Sequence, residues 1–248
     1  MSVRSCCLTD IGRQRQMNQD YVFCSEMPVG ALPNLFMVAD GMGGYKAGEY
    51  ASKSTVEIIV SEIMRSKETR PIRLLSDAIE TANTKIREKS FSDDNYKGMG
   101  TTLVSASFDG HELLVSNIGD SRLYVIGDEM RQITTDHSLV EEMIRMGGLD
   151  RSKARSHPDK NIITRAVGVV ENVDIDFFEV DDIRDGDIAL LCSDGLTNML
   201  DDKDIETIVK GPGDLQYKAR RLVDGANQKG GKDNISVLLL QVFTEDTV

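Results

Sequence analysis

Two carboxylates in this chain stand where a side chain is hardest to move. Asp40 ends the apolar run Leu35-Phe36-Met37-Val38-Ala39, and Asp194 ends Ile188-Ala189-Leu190-Leu191-Cys192-Ser193. A carboxylate at the tip of a core strand is held at the sheet rim and partly desolvated. It needs a partner there, and a divalent cation is a natural one. Three more acids share the setting: Asp20 before Tyr21-Val22-Phe23, Asp120 after Ile118-Gly119, and Asp233 in Gly230-Gly231-Lys232-Asp233-Asn234 ahead of the last strand. Taken singly, each reads equally well as a turn or a strand cap. The repetition of one pattern at separate strand ends favours convergence on one site.

The donor types narrow the cation. The sequence holds three histidines, His111, His137 and His157, and no H-E-x-x-H or cysteine cluster, which argues against zinc. Carboxylate and carbonyl oxygens suit Mg²⁺ or Mn²⁺. An EF-hand loop is absent from the sequence. Gly41-Met42-Gly43-Gly44 follows Asp40 directly, so a main-chain carbonyl can come close to a ligand. The segment lacks the Lys-Ser/Thr end of a Walker loop. Cys7 and Arg13 have the C-x₅-R spacing of a cysteine-nucleophile phosphatase. Asp10 between them would repel phosphate, and nothing nearby in sequence lowers the thiol pKa. Asp109, Asp185 and Asp224, each followed by glycine, read as turns.

These residues need a scaffold. The 248 residues carry 29 basic and 41 acidic side chains, a net charge of −12, which disfavours nucleic acid and anionic membranes as partners. Hydrophobic residues make up 40%, and no linker or repeat divides the chain, so 1–248 reads as a single domain. The sequence begins without the apolar stretch of a signal peptide, and its apolar runs are too short to span a bilayer. Cys6, Cys7, Cys24 and Cys192 read as reduced thiols in a cytoplasmic protein. Strands are expected at 3–9, 21–24, 34–39, 101–108, 112–118, 122–126, 130–134, 176–180, 188–192 and 235–243, and helices at 47–65, 72–89, 138–146 and 215–228. Tight turns between strands imply an antiparallel sheet, and long helices beside it a layered α+β domain. The stretch 147–170 has no period and reads as a flap.

Taken in order, the segments carry a resemblance. They are Thr9-Asp10-Ile11-Gly12 with Arg15 and Asn18-Gln19-Asp20; Val38-Ala39-Asp40-Gly41-Met42-Gly43-Gly44; Gly98-Met99-Gly100-Thr101-Thr102; Asn117-Ile118-Gly119-Asp120-Ser121-Arg122; Asp136-His137-Ser138; His157-Pro158 with Asn161 to Gly168; Ser193-Asp194-Gly195-Leu196; and Lys232-Asp233-Asn234-Ile235-Ser236. This ordered set, covering almost the whole chain, resembles the protein phosphatase 2C family of metal-dependent serine/threonine phosphatases, its bacterial branch above all.

The resemblance implies an α-β-β-α sandwich of two antiparallel sheets flanked by helices. It implies Mn²⁺ or Mg²⁺, two or three per chain, with Asp40 bridging two ions and the Gly41 carbonyl on one of them. Asp194 and Asp233 would hold the other, with Asp20 in the shell, and Asp120 with Asp194 would hold a third. Arg15 would bind the substrate phosphate, and Asn234, His157 and Arg165 would lie in the outer shell or the flap. The implied reaction is hydrolysis of phosphoserine and phosphothreonine by a metal-bridging hydroxide, without a phosphoenzyme. The implied partners are phosphorylated proteins and a cognate serine/threonine kinase, with the phosphatase acting as a monomer. Met42 stands where eukaryotic members have a histidine proposed as general acid, and Tyr45 where bacterial relatives have one. Two other readings stay open: a silent phosphatase-like binding module, and an enzyme for small-molecule phosphoesters.

Overall fold

The computed structural model describes residues 1–44 and 46–244. The chain opens with β1 (Ser2–Asp10), β2 (Asp20–Ser25) and β3 (Leu35–Met42), followed by helices α1 (Ala47–Arg65) and α2 (Pro71–Ser92). Next come β4 (Gly100–Thr101), β5 (Leu103–Phe108), β6 (Leu113–Ile118), β7 (Arg122–Ile126) and β8 (Met130–Gln132). Short helices α3 (Leu139–Arg145) and α4 (Arg151–Ala154) precede β9 (Asp176–Val180) and β10 (Ile188–Cys192). The chain finishes with α5 (Asp194–Thr197), α6 (Asp202–Lys210), α7 (Leu215–Gln228) and β11 (Ile235–Phe243).

One sheet has the order β1-β11-β10-β7-β8 and the other β2-β3-β5-β6-β9, with β4 also paired to β3. Every paired strand is antiparallel. The central strands are apolar on both faces because both faces are covered. Phe36, Val38 and Val104 of one sheet meet Leu123, Leu191 and Leu238 of the other. On the outer side of the second sheet, Met37, Ala39 and Leu103 pack under Ile59 and Ile63 of α1 and Leu75 and Ile79 of α2. On the outer side of the first, Leu190, Val237 and Leu239 pack under Val209 of α6 and Leu222 and Val223 of α7. Each such side chain contributes about 1.5–3 kcal/mol on burial. The layers run α-β-β-α, as the resemblance implies.

The differences from the sequence reading are local. The strand expected at 101–108 breaks at Thr102, whose hydroxyl accepts from the Asp40 N–H at 2.9 Å and pairs with Ser121 at 2.7 Å. The strand expected at 130–134 stops at Gln132, and the helix expected at 72–89 runs on as α2. Helix α6 was not expected at all. Asp109 is a turn residue, its carboxylate accepting from the His111 and Glu112 N–H groups at 2.8 Å. Asp224 is not: it lies inside α7, where helical packing overrides the turn preference of Asp-Gly. The stretch 147–170 is irregular apart from α4, and it is bridged to the body through Ile163 on Ser138 and Val167 on Thr101. Among the described residues no helix is long and apolar enough to cross a membrane.

Candidate active site

Antiparallel order sends the end of β3, the start of β2, the β6–β7 turn, the end of β10 and the start of β11 to one rim of the sandwich. The five singled-out acids occupy those positions. A cavity of about 270 Å³ opens there, lined by Arg15, Asp40, Gly41, Asp120, Asp194 and Asp233, among others. Asp20 stands directly opposite Asp40 in the β2–β3 register. Like charges in facing positions of a sheet repel, so this pairing is costly unless something positive comes between them.

Each acid is fixed by its neighbours. The Asp40 carbonyl accepts from the Thr102 N–H and the Thr101 hydroxyl, both at 2.9 Å. The Ser193 hydroxyl donates to Asp20 Oδ2 at 2.7 Å and accepts from the Ser236 N–H at 3.0 Å, tying Asp20 to the other sheet. Asp194 opens α5, and Asn198 of the next turn donates to its Oδ2 at 2.8 Å. Lys160 of the stretch 147–170 donates in turn to Asn198 Oδ1 at 2.8 Å. Gly195 lets α5 close on the β11 entry, because a Cβ there would overlap the Asn234 carbonyl. Gly41 plays the same part between β3 and α1, where a Cβ would overlap the carbonyl of Gly48.

Asn234 organises the loop between β1 and β2. Its Oδ1 accepts from the Gln19 N–H at 2.8 Å, and its Nδ2 donates to the carbonyls of Ile11 and Met17 at 2.9 Å. That loop carries Arg15, whose guanidinium donates to Asp233 Oδ2 at 2.7 Å.

The electrostatics are those of a crowded, partly buried cluster of negative charge. Burial, then Asp20 and the other acids, push the Asp40 carboxyl well above its usual range. Burial, then Asp194, do the same to Asp120. Burial raises Asp20 to about 7 against its bonds from Ser193 and Ser236, and burial with Asp233 raises Asp194 to about 6. Asp20 Oδ1 and Asp194 Oδ1 are buried without any hydrogen-bond partner. Among the described residues, no three acidic, histidine or cysteine side chains close tightly enough to form a ready-made metal cage.

The protein phosphatase 2C family model matches residues 11–236, nine-tenths of the chain and all five acids. The chain belongs to the protein phosphatase 2C family. It is therefore a phosphoprotein phosphatase, a phosphoric monoester hydrolase. The serine/threonine phosphatase stp of Listeria innocua is 39% identical over 245 residues, which cover 94% of this chain and 93% of that protein. The Streptococcus agalactiae serine/threonine phosphatase superposes with a TM-score of 0.90 at 40% identity, covering 97% of this chain and 99% of that one. The catalytic domain of the serine/threonine phosphatase PstP, solved with two manganese ions, has a TM-score of 0.84 at 31% identity and covers 98% of this chain and 99% of that one.

In this phosphatase the rim brings together most of what the sequence singled out. Met42 lines the cavity, and Tyr45 lies outside the described residues. Asn161 and Ile163 are the residues of the stretch 147–170 that reach the cavity wall. His157 bonds within its own stretch, its Nδ1 accepting from the Asp159 N–H at 3.2 Å. Arg165 pairs with Asp176 at 2.9 Å, away from the cavity lining. The sequence reading missed His137 as a positioning residue. Its Nδ1 accepts from the Gly119 N–H at 3.0 Å and its Nε2 meets Asp176 at 2.9 Å, which holds the turn beneath Asp120. Its signal was the segment Asp136-His137-Ser138, quoted in the resemblance but given no role.

Proposed function

We propose that this phosphatase hydrolyses phosphoserine and phosphothreonine side chains of proteins, using divalent cations held by Asp40, Asp194, Asp233 and the Gly41 carbonyl, with Asp20 behind them. The observation that carries the reading is the gathering of four carboxylates, Asp40, Asp120, Asp194 and Asp233, around one cavity with Asp20 facing Asp40 behind it, two of the five having orphaned buried oxygens. All-oxygen donors fit Mn²⁺ or Mg²⁺. Two ions are proposed, with a third between Asp120 and Asp194. The manganese in the PstP relative supports the choice. When bound, the ions would supply an acidified water and offset charge on the phosphoryl oxygens.

The chain's own groups do the rest. Arg15, now paired with Asp233, turns its fork onto the incoming phosphate, binding it with parallel charge-assisted bonds. Asn234 keeps the Arg15 loop in place, and Asn198 keeps Asp194 aimed at the cavity. Water attacks in line with the departing serine or threonine oxygen, so no protein side chain becomes phosphorylated. The substrates are phosphoproteins of the cytoplasm, and the activity opposes a serine/threonine kinase. Initial rates on a panel of phosphopeptides and phosphorylated metabolites with Mn²⁺ test the reading. It predicts turnover of the peptides, and turnover confined to metabolites contradicts it.

Two outcomes follow from these contacts. Arg15→Ala should raise KM for phosphopeptide about 10–100-fold, the value of a hydrogen bond between charged groups, and lower kcat less. An unchanged KM in steady-state kinetics would remove Arg15 from the phosphate site. The second outcome concerns pH. Carboxyls with raised pKa values bind protons more tightly in the folded chain, so this cluster lowers stability as pH rises from about 4, the unfolded value, towards about 7. Bound cations discharge the cluster. The rise in Tm on adding Mn²⁺ should therefore be small at pH 5 and grow up to pH 7.5. A pH-independent rise in differential scanning fluorimetry would contradict it.

A further inference from the structure

Away from the rim, the edges of the two sheets meet along β1 and β2, the terminal strands of their respective sheets. Side chains alternate along a strand, so Val3, Ser5, Cys7 and Thr9 share a face of β1, and Val22 and Cys24 share a face of β2. Val3, Val22 and Cys24 all pack into the layer between the sheets, so the two faces look at each other. Ser5 fixes the alignment. Its hydroxyl lies 2.9 Å from Cys24 Sγ, and its N–H and hydroxyl reach Glu26 Oε1 at 2.6 and 2.7 Å. Cys7, one step further on that face, is exposed and stands against Cys24 in the alignment that Ser5 and Glu26 set.

We propose that Cys7 and Cys24 form a reversible redox pair, oxidised by hydroperoxides to a disulfide that staples the edge of one sheet to the edge of the other. The contacts of Ser5 with Cys24 and Glu26 hold the two edges within side-chain reach of each other, and rotation of the two cysteine side chains closes the rest. The neighbouring Cys7 thiol lowers the pKa of the Cys24 thiol, against burial and the Glu26 carboxylate, and so favours the nucleophilic thiolate at Cys24. Cys6 is not a competitor. It sits on the opposite face of β1, against Leu8 and the layer under α7.

The chemistry balances. The Cys24 thiolate attacks a peroxide oxygen, the O–O bond breaks, and Cys24 sulfenic acid and one water form, a solvent proton completing the water. The Cys7 sulfur then attacks the Cys24 sulfur. The S–S bond forms, the S–O bond breaks, and a second water leaves with the Cys7 proton. Two thiols lose two electrons and hydrogen peroxide gains them. The new ring encloses the sixteen residues between the cysteines, Arg15 among them.

The test is hydrogen peroxide treatment of the whole chain at pH 7.5, followed by acid quench, alkylation and non-reducing peptide mapping. The expected result is a linked Cys7–Cys24 peptide, loss of two alkylatable thiols, reversal by dithiothreitol, and a Tm about 5 °C higher in the oxidised form. Cys7→Ser, at an exposed position that leaves the fold intact, should lose the link and leave Cys24 as a sulfenic acid captured by dimedone. Links through Cys6 or Cys192, covalent dimers, or no dimedone capture in Cys7→Ser would each overturn the proposal.

Discussion

Asp194→Asn should fold, melt higher than the unsubstituted chain in chelator, and turn over phosphopeptide more than about a hundredfold more slowly with Mn²⁺ present. The size follows from what is removed. Loss of a group that merely orients a metal ligand costs 10–100-fold, and loss of the ligand's charge costs more. The direction of the stability change follows from the cluster. Asp194 is half-buried, faces Asp40, Asp120 and Asp233, and leaves a buried Oδ1 without a partner. Asparagine keeps the shape and can keep one contact with Asn198 while removing a repelling charge. A structural role for Asp194 predicts the reverse, a lower Tm with activity lost in proportion. Circular dichroism melts in EDTA beside kcat/KM in Mn²⁺ separate the two, and wild-type turnover by the variant would refute the assignment.

Removal of divalent cations should have a still larger effect. Hydrolysis of a phosphate monoester without help is among the slowest of biological reactions, so the metal-free site should retain almost none of its rate. Dialysis against EDTA should lower phosphopeptide turnover by more than about a thousandfold, and Mn²⁺ or Mg²⁺ should restore it within the dead time of mixing. Arg15 is untouched by chelation, so the metal-free chain should still bind phosphopeptide weakly. Activity that persists in chelator would mean a metal-free route, with a thiol as the first suspect.

The sequence carried the scaffold well where periodicity is strong. Helix α1 has the bounds read from its pattern because Ala47, Ala51, Thr55, Ile59 and Ile63 form one buried stripe. The helix α6 escaped because its stripe, Ile205 and Val209, is short and lies among charges. The capping side chain of Asp201, accepting from the Asp204 N–H at 2.8 Å, was the available cue. Thr102 interrupts a strand that its apolar neighbours would continue: its N–H still reaches the Asp40 carbonyl, but its hydroxyl, in place of its carbonyl, takes the Asp40 N–H.

The acids at the rim were legible as types and positions but not as neighbours. Nothing local in Ser193-Asp194 says that β10 lies between β7 and β11, and only that order brings Asp194 to Asp120 and Asp233. The facing of Asp20 and Asp40 likewise comes from strand register. Asn234 and His137 were harder still. Both act through main-chain bonds to distant segments, Asn234 on Met17 and Gln19 and His137 on Gly119, and no spacing in the chain encodes such contacts.

The central claim is that the rim is a cation site built from these five carboxylates. Crystals grown with MnCl₂ and measured at the manganese edge test it most directly. The predicted result is two strong anomalous peaks in the rim cavity, coordinated by Asp40, Asp194, Asp233 and the Gly41 carbonyl. A cavity without anomalous density, in crystals whose dissolved protein is active, would contradict it.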